Sequence, residues 1–350
     1  MKYLPLGSTD LTVSECGFGC IPIIRLPQDE AVRVLRHAFD RGITFFDTAN
    51  AYRDSEEKMG IAFAGIRHKV VIATKSLLRS AEGVTGHVEN SLRKLGTDYL
   101  DLYQLHQIAQ EKDWAEVTGP SGALEAAMAA KAAGKVRHVG VTSHNLEMAL
   151  KLVRTGLFDT IQFPFNLIEE GARDELLGAA RDAGMAFICM KPFGGGVIDN
   201  AAVAFTYLRS HDGIFPIPGF ESCAQVDEVL SFYERDNVVT EQDLAIMEQY
   251  RRELGKRFCR RCEYCQPCPQ GVMITPAMGY PIVASRMSPA VAADFCRKAM
   301  ETVPLCTECG ACIARCPYEL PISDILKANY AMYRGHVAGR QGGFAGGKSS

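Results

Sequence analysis

Four side chains suited to proton transfer lie at or just after the ends of apolar, strand-like runs: Asp47, Tyr52, Lys75 and His106. A tyrosine gives up a proton near neutral pH only when its pKa, about 10 if unperturbed, is lowered. A buried ammonium lowers it by favouring the phenolate, so Lys75 could activate Tyr52 while Asp47 keeps Lys75 charged and in place. His106 could orient a substrate oxygen or assist the proton transfer. Taken alone, Asp47 could also merely cap the following turn or helix.

A second constellation is formed by eight of the 13 cysteines, which lie in two compact runs near the C-terminus. Such clustering indicates a metal centre and not disulfides. The second run has the bacterial ferredoxin spacing, and the first is a variant with one residue fewer before its last cysteine. The runs are Cys259, Cys262, Cys265 and Cys268, followed by Pro269, and Cys306, Cys309, Cys312 and Cys316, followed by Pro317.

Zinc is the alternative to iron–sulfur clusters, because CxxC pairs often bind it. Zinc sites usually use two separated pairs, whereas here four cysteines run together twice, which favours clusters. The remaining five cysteines read as small buried hydrophobic residues or bystanders: Cys16, Cys20, Cys189, Cys223 and Cys296.

The ferredoxin pattern implies which cysteines would share a cluster, because the fourth cysteine of each motif binds the other cluster. One 4Fe-4S cluster would then be held by Cys259, Cys262, Cys265 and Cys316, and the second by Cys306, Cys309, Cys312 and Cys268. The short spacing before Cys268 leaves open that the first four cysteines hold one cluster locally.

The elements that position these residues follow a repeated pattern of a short strand and then an amphipathic helix ended by glycine or a turn. After a hairpin over residues 3–13, we predict a first strand near Gly17. Seven further strands are predicted over 44–48, 70–75, 99–107, 136–143, 160–166, 186–193 and 213–219. Helices are predicted over 29–41, 55–64, 86–95, 122–133, 146–154, 173–182, 201–208 and 223–233.

Eight such units in about 220 residues predict an α/β fold, a (β/α)8 TIM barrel whose active site lies at the C-terminal ends of the strands. A doubly wound open sheet is the alternative, but no G-x-G-x-x-G follows the first strand. We predict a barrel over 1–239, a bridging helix over 240–257, a small ferredoxin-like iron–sulfur domain over 258–330 and a Gly-rich tail over 331–350.

Bulk composition restricts the class of partner. The 350 residues are 47% hydrophobic with a formal charge of −3, so no basic excess suggests nucleic acid or an anionic membrane surface. The N-terminus lacks an apolar run of signal length, and no window approaches a membrane span. We therefore expect a cytoplasmic protein that acts on small molecules.

From Met1 to Tyr233 the chain resembles the aldo-keto reductases. The resemblance rests on Phe45-Phe46-Asp47-Thr48-Ala49 with Tyr52, on Val71-Ile72-Ala73-Thr74-Lys75, and on Asp101-Leu102-Tyr103-Gln104-Leu105-His106. The family's catalytic Asp, Tyr, Lys and His match at all four positions. The resemblance implies carbonyl/alcohol interconversion on a small molecule with NAD(H) or NADP(H), and Tyr52 as the general acid/base.

The resemblance also implies cofactor contacts, some of which depart from the family pattern. Thr142-Ser143 stands where the family has a Ser-Asn pair, Gln162 matches the sixth-strand glutamine, and Met190 replaces the aromatic that stacks on nicotinamide. Lys191 could meet a pyrophosphate. The segment from Gly219 through Ser222 to Glu228 resembles the adenosine-phosphate loop but contains no Lys or Arg, so we expect a preference for NADH or weak discrimination.

Together, the two constellations look like those aldo-keto reductases that carry a C-terminal two-cluster ferredoxin-like domain. This implies an oxidoreductase linked to two 4Fe-4S clusters, with an electron-transfer protein as a partner. A second hypothesis is an electron-transfer or redox-sensing protein whose barrel binds a substrate or partner. In a third, electrons from the clusters reduce a substrate in the barrel without nicotinamide.

Overall fold

The computed structural model describes residues 1–285 and 287–343. The chain divides into two compact units. The first comprises Met1–Gly194 and Ile198–Met247, and the second comprises Gly195–Val197 and the chain from Glu248 onward. No helix in the part of the chain that the structure describes has the length and apolarity needed to cross a bilayer.

The first unit opens with the predicted hairpin, in which β1 (Tyr3–Pro5) pairs antiparallel with β2 (Thr12–Ser14). Eight parallel strands follow, and their order in the sheet is their order in the chain. They are β3 (Phe18–Gly19), β4 (Phe45–Asp47), β5 (Val71–Ser76), β6 (Leu100–Leu105), β7 (Val136–Thr142), β8 (Thr160–Pro164), β9 (Ala186–Met190) and β10 (Ile214–Pro216).

Backbone hydrogen bonds join the first and last of these strands, and so close the sheet into a barrel. The Gly17 amide donates to the Pro216 carbonyl at 2.8 Å, and the Gly19 amide donates to the Pro218 carbonyl at 2.7 Å. The predicted (β/α)8 barrel is therefore confirmed.

Nine helices of the first unit connect and follow the strands. They are α1 (Gln28–Asp40), α2 (Ser55–Phe63), α3 (Ala81–Leu95), α4 (Glu111–Thr118), α5 (Ala123–Ala132), α6 (Leu146–Arg154), α7 (Leu176–Asp182), α8 (Ala201–Leu208) and α9 (Cys223–Tyr233). Helix α3 begins five residues before its predicted start, because the Ser80 side chain caps it by accepting from the Gly83 amide. Helix α4 was not predicted. It starts at a capping box formed by Gln110 and Asp113.

An apolar floor lies inside the barrel, where side chains of the hairpin pack against the strands. Leu6, Leu11 and Val13 are buried together with the inward-facing residues at the beginnings of the strands, among them Phe45, Ala73, Leu102, Ile188 and Phe215. Because strand side chains alternate between faces, the residues two positions later also point inward, one layer closer to the C-terminal ends.

Helix α10 (Glu241–Leu254) lies within the charged segment predicted as a bridge. The second unit then contains α11 (Ile274–Met278), α12 (Tyr280–Ala284), α13 (Pro289–Met300), α14 (Ala311–Ala314) and α15 (Ile322–Gly343). Its core includes Val272, Ile274, Met278, Tyr280, Met300, Leu320 and Leu326.

Helix α15 continues beyond residue 330, where the sequence placed the beginning of a Gly-rich tail. The Asn329 side-chain amide holds this helix to α11 by donating to the carbonyls of Ala277 at 3.0 Å and Met278 at 3.3 Å. The remainder of the predicted tail, 344–350, lies outside the described residues.

Candidate active site

A polar layer lies directly above the apolar floor of the barrel. Its members are each two residues beyond a floor residue, so the alternation of the strands turns them inward. They are Asp47 on β4, Lys75 on β5 and Gln104 on β6, which follow Phe45, Ala73 and Leu102.

Asp47 and Lys75 form a buried ion pair at the centre of this layer. The Lys75 Nζ atom donates to Asp47 Oδ1 at 2.5 Å and to the Thr48 carbonyl at 2.7 Å, and the two side chains are only 1% and 3% exposed. Burial alone would lower the pKa of Lys75, but the negative charge of Asp47 and the nearby Tyr52 phenol raise it above its ordinary value. The lysine therefore carries its charge at neutral pH.

Two glutamines hold the Asp47 carboxylate. The Gln104 amide nitrogen donates to Oδ2 at 3.0 Å, and that of Gln162 lies 3.4 Å from Oδ1. The Oε1 atoms of both amides are buried and have no hydrogen-bond partner among the described residues, so they can accept from a bound molecule. The sequence predicts Gln162 only as a cofactor contact and does not single out Gln104. The signal for Gln104 was a polar residue within an apolar strand. Gln104 lies two positions before His106, so the two side chains are on the same face of the strand.

Tyr52 and His106 complete the predicted group. The Lys75 Nζ atom lies 5.3 Å from the centroid of the Tyr52 ring, and the Tyr52 and His106 rings meet edge to face with centroids 6.2 Å apart. The half-buried Tyr52 is placed by a turn in which its amide donates to the Ala49 carbonyl at 2.9 Å. The fold thus brings all four residues together at one rim of the barrel.

The His106 imidazole is kept neutral by its surroundings. Burial, together with the positive charges of Lys75 and Arg79, holds the pKa of His106 well below its ordinary value. Its Nδ1 atom is buried without a hydrogen-bond partner among the described residues. His106 can therefore exchange hydrogen bonds with a substrate oxygen, but it is not the source of a proton at neutral pH.

We expect the ring nitrogens of His106 to keep their neutral NMR signature as the pH falls from about 8 to about 5.5. The unfolded chain would protonate this residue near pH 6.5, whereas the folded barrel would not. The neutral ring therefore contributes fully to stability above pH 6.5. As the pH falls below 6.5, the free energy of unfolding decreases by up to about 1.4 kcal/mol per pH unit. A titration of histidine-labelled protein tests this, with His106→Gln to assign the signal. A His106 signal that shifts with a midpoint near pH 6.5 would contradict it.

The loop that carries His106 is clamped by Arg79, which sequence analysis did not select. The guanidinium donates to the carbonyls of His106 at 2.8 Å and Gln107 at 2.7 Å. The Gln107 amide in turn donates to the Thr142 hydroxyl at 2.7 Å, so Thr142, predicted as a cofactor contact, also anchors this loop. The neighbouring Ser143 hydroxyl donates to the Asn145 carbonyl at 3.2 Å.

The other predicted cofactor residues lie in loops that follow β9 and β10. Lys191 has a left-handed backbone with φ of 88°, and its carbonyl accepts from the Asn166 side chain at 3.0 Å. Ser222 caps α9 by accepting from the Gln225 amide at 3.3 Å. Gly219 passes so close to Pro22 that a Cβ atom there would lie 2.4 Å from the ring, so only glycine fits.

Cations reach this last loop from elements near the N-terminus. Arg25 forms an ion pair with Glu221. Arg41 pairs with Asp227, which also lies 2.9 Å from the His37 ring. Glu221 lies in this loop and Asp227 lies on α9, and both carboxylates already have a cationic partner.

In the second unit the eight clustered cysteines line two separate cavities. The first cavity is lined by Cys259, Cys262, Cys265 and Cys316. The second is lined by Cys268, Cys306, Cys309 and Cys312. The last cysteine of each run therefore lies with the first three of the other run, which is the crossed arrangement predicted from the ferredoxin pattern.

The chemistry of the cavity walls fits iron–sulfur clusters. Burial raises the pKa of Cys262 to about 11 and that of Cys265 to about 12, so these thiols become thiolate ligands only when a cation enters.

Arg315 ties the two cysteine runs together. Its guanidinium donates to the carbonyls of Cys265 at 2.8 Å, Gln266 at 3.1 Å and Pro267 at 2.9 Å, while Cys316 follows it in the chain. One side chain thus fixes the first run beside the last cysteine of the second.

Comparison with known proteins matches the barrel and the cysteine-rich region to two different families. Residues 17–204 match the family model described as the aldo/keto reductase family, and residues 258–321 match a 4Fe-4S dicluster domain. The aldo-keto reductase YhdN of Bacillus subtilis is 30% identical over 246 residues, which cover 63% of this chain and 72% of that protein. A probable aldo-keto reductase of Glycine max is 27% identical over 260 residues, which cover 67% and 71% of the two chains.

Solved structures show the same fold. An aldo-keto reductase from Klebsiella pneumoniae in complex with NADPH superposes with a TM-score of 0.59 at 25% identity, over 71% of this chain and 94% of that one. The holo form of a Bacillus halodurans aldo-keto reductase superposes with a TM-score of 0.61 at 24% identity, over 71% of this chain and 96% of that one. The chain belongs to the aldo/keto reductase family of oxidoreductases and carries a C-terminal 4Fe-4S domain.

Proposed function

We propose that the barrel interconverts a carbonyl and an alcohol on a small molecule, with Tyr52 as the general acid/base. The observation that carries the proposal is the buried, charged Lys75 between Asp47 and the Tyr52 ring. An ammonium at this position favours the phenolate, so Tyr52 can release its proton to a carbonyl oxygen and take it back in the reverse direction. Asp47, held by two glutamines, keeps that ammonium charged and in place.

His106 positions the substrate in this proposal. Because the ring is neutral and buried, it exchanges hydrogen bonds with the substrate oxygen and leaves the delivery of the proton to Tyr52. Arg79 restricts the movement of the loop that carries His106 by binding two of its carbonyls. Such positioning matters because a catalytic group acts efficiently only at a fixed distance and angle.

A bound nicotinamide would supply or accept the hydride. The Gln162 Oε1 atom and the Thr142-Ser143 pair would hold the carboxamide, while Lys191, Gly219 and Ser222 would meet the phosphates. Support comes from the unpartnered, buried oxygen of Gln162, and from the Klebsiella pneumoniae relatives, whose structures contain NADPH and NADP. The arrangement can accept NAD(H) or NADP(H).

The eight clustered cysteines would hold two 4Fe-4S clusters in the crossed arrangement, and the clusters would transfer single electrons to or from a partner protein. The two separate cavities and the match to a dicluster domain support this part of the proposal. Buried thiols whose pKa is raised would be ionised by the incoming iron, so assembly of the clusters would release protons.

A second candidate function is electron transfer or redox sensing, with a barrel that binds a substrate or partner without hydride transfer. The observation that favours it is Met190, which ends β9 where the family has an aromatic residue against the nicotinamide ring. Electrons from the clusters could then reduce a substrate in the barrel directly. The two candidates differ in whether nicotinamide binds at all.

One experiment separates these candidates. NADH or NADPH is added to the full-length protein under anaerobic conditions, while nicotinamide fluorescence and the visible absorbance of the clusters are recorded together. We expect a saturable change in fluorescence that shows nucleotide binding. If the protein contains intact clusters but binds neither nucleotide, hydride transfer from nicotinamide is excluded and the second candidate remains.

We expect NADH to bind as tightly as NADPH or more tightly. Arg25 and Arg41 reach the adenosine-phosphate loop, but Glu221 and Asp227 already balance their charges. A 2′-phosphate would therefore compete with these carboxylates and would lack the unpaired cation that normally offsets its desolvation. Titrating both nucleotides at one ionic strength measures the ratio of the two Kd values. A clear preference for NADPH would refute this expectation.

A further inference from the structure

The two cysteine cavities differ in the charged side chains that line them. The first cavity is lined by Arg260, which is only 9% exposed, and by the half-exposed Glu263. Among the described residues that line the second cavity, cysteines aside, Glu308 is the only ionisable one. Its side chain is 54% exposed and forms an ion pair with Lys327 at 2.7 Å. A buried cation thus distinguishes the first cavity.

Arg260 is held firmly in this position. Its Cζ atom lies 4.0 Å from the centroid of the Tyr318 ring, which also lines the first cavity. One guanidinium nitrogen donates to the carbonyls of Gly255 at 2.9 Å and Phe258 at 3.3 Å. Because an arginine does not lose its proton in proteins, this charge is permanent. Stacking on the ring and burial keep it away from screening by water.

A cluster that accepts an electron gains a negative charge, and the protein sets the equilibrium through nearby charges, hydrogen bonds and exposure to solvent. A buried cation favours the electron-accepting direction, because its field is weakly screened. Glu263 acts in the opposite sense but is partly exposed. The burial of Cys262 and Cys265 also opposes the effect of Arg260. Water would stabilise the more negative, reduced state of the cluster, and burial keeps water away. Both opposing effects remain when Arg260 alone is changed, so a substitution isolates its sign.

We propose that Arg260 raises the reduction potential of the cluster in the first cavity relative to that in the second. The inference rests on the proposed binding of two clusters. Its consequence is directional, because the charge of Arg260 favours placing an electron on the cluster in the first cavity. The two cysteine runs look equivalent in the sequence, whereas the buried arginine makes their cavities electrically different.

The test is an anaerobic redox titration of the full-length holoprotein followed by electron paramagnetic resonance. Signals are assigned to the two cavities with Cys259→Ser and Cys306→Ser. We expect Arg260→Gln to lower the reduction equilibrium constant of the first cluster by a factor of ten or more, a shift of 59 mV for one electron. The second cluster should change by less than about threefold, because Arg260 lines the first cavity and not the second.

Two further variants separate charge from structure. Arg260→Lys keeps a cation and should retain most of the wild-type potential. The matched control is Lys327→Gln, which removes an exposed cation beside the second cavity and should change either cluster by less than about threefold.

If Arg260→Gln loses the first cluster, Arg260→Met decides, because it removes the charge but keeps an apolar stem against the Tyr318 ring. This variant should lower the same potential. Unchanged potentials in both variants, or equal shifts of both clusters, would overturn the inference. Iron and sulfide analysis of the wild-type protein distinguishes this from failure of the proposed function, since fewer than two clusters per chain would refute the ligation itself.

Discussion

Replacing Tyr52 with phenylalanine is expected to reduce the rate of carbonyl reduction by roughly 10³-fold, within the 10² to 10⁴ that general acid/base catalysis contributes. The phenol would supply its proton only in the chemical step, so nicotinamide binding should remain nearly unchanged. The variant keeps the aromatic ring that meets His106 edge to face, so the packing of the rim should survive. Steady-state turnover and a nucleotide titration on the same preparation measure the two effects separately.

Tyr103→Phe is the matched control for this experiment. Tyr103 lies on β6 directly before Gln104, and because neighbouring strand residues face opposite sides, its ring points away from the polar layer. Burial raises the pKa of Tyr103 well above its ordinary value, so its hydroxyl stays protonated and does not take part in proton transfer. We expect this control to retain turnover. Wild-type turnover in Tyr52→Phe on any confirmed substrate would show that the assignment of the four residues is wrong.

Replacing Cys316 with serine is expected to perturb the cluster that also depends on Cys259. The two cysteines are 57 positions apart in the sequence (316 − 259) but line one cavity. Cys306→Ser should instead perturb the other signal, because Cys306 lines the second cavity with Cys268. Electron paramagnetic resonance of the reduced proteins compares the three variants. If Cys316→Ser and Cys306→Ser alter the same signal, the ligation is local and not crossed.

The loss of a crossed ligand should also weaken the fold of the second unit, because binding of a metal centre and folding are coupled in small metal-dependent domains. Cys296→Ser serves as the control, since Cys296 is buried in the core of the same unit but lines neither cavity. This control should keep full iron content. We expect Cys316→Ser to lose iron and to become more sensitive to proteolysis within residues 258–321.

The strand ends that carry Asp47, Lys75 and His106 could be predicted because two local rules agree. Apolar runs of strand length locate the strands, and parallel strands bring their C-terminal ends to one rim. Their mutual arrangement follows from the order of the strands, which in a barrel is the order of the sequence.

The partners of those residues could not be predicted in the same way. Periodicity places Gln104 on the inner face but does not reveal that its amide meets Asp47, which lies 57 positions earlier. Arg79 is a comparable case, because its two carbonyl acceptors belong to a loop that follows a different strand. Such contacts depend on side-chain reach across strands, for which one sequence contains no local signal.

The adenosine-phosphate loop illustrates a further effect of the closed topology. Its own sequence contains no cation, and this was the basis for predicting a preference for NADH. Closure of the barrel makes the first and last units neighbours, so Arg25 and Arg41 approach from near the N-terminus. The charge of a loop is therefore set by residues almost 200 positions away (221 − 25 = 196).

The junction between β3 and β10 is among the least-bonded strand pairs of the barrel. Two amide–carbonyl bonds span it, and β3 and β4 share two registered residue pairs, whereas β6 and β7 share five. Local opening of a protein begins where few bonds must break, so the barrel separates most easily at β3 and at this junction. The loop from Gly219 to Ser222 begins directly after it. A nucleotide bound there would associate only with the closed form, and by mass action its presence would raise the free energy of opening as its concentration exceeds Kd.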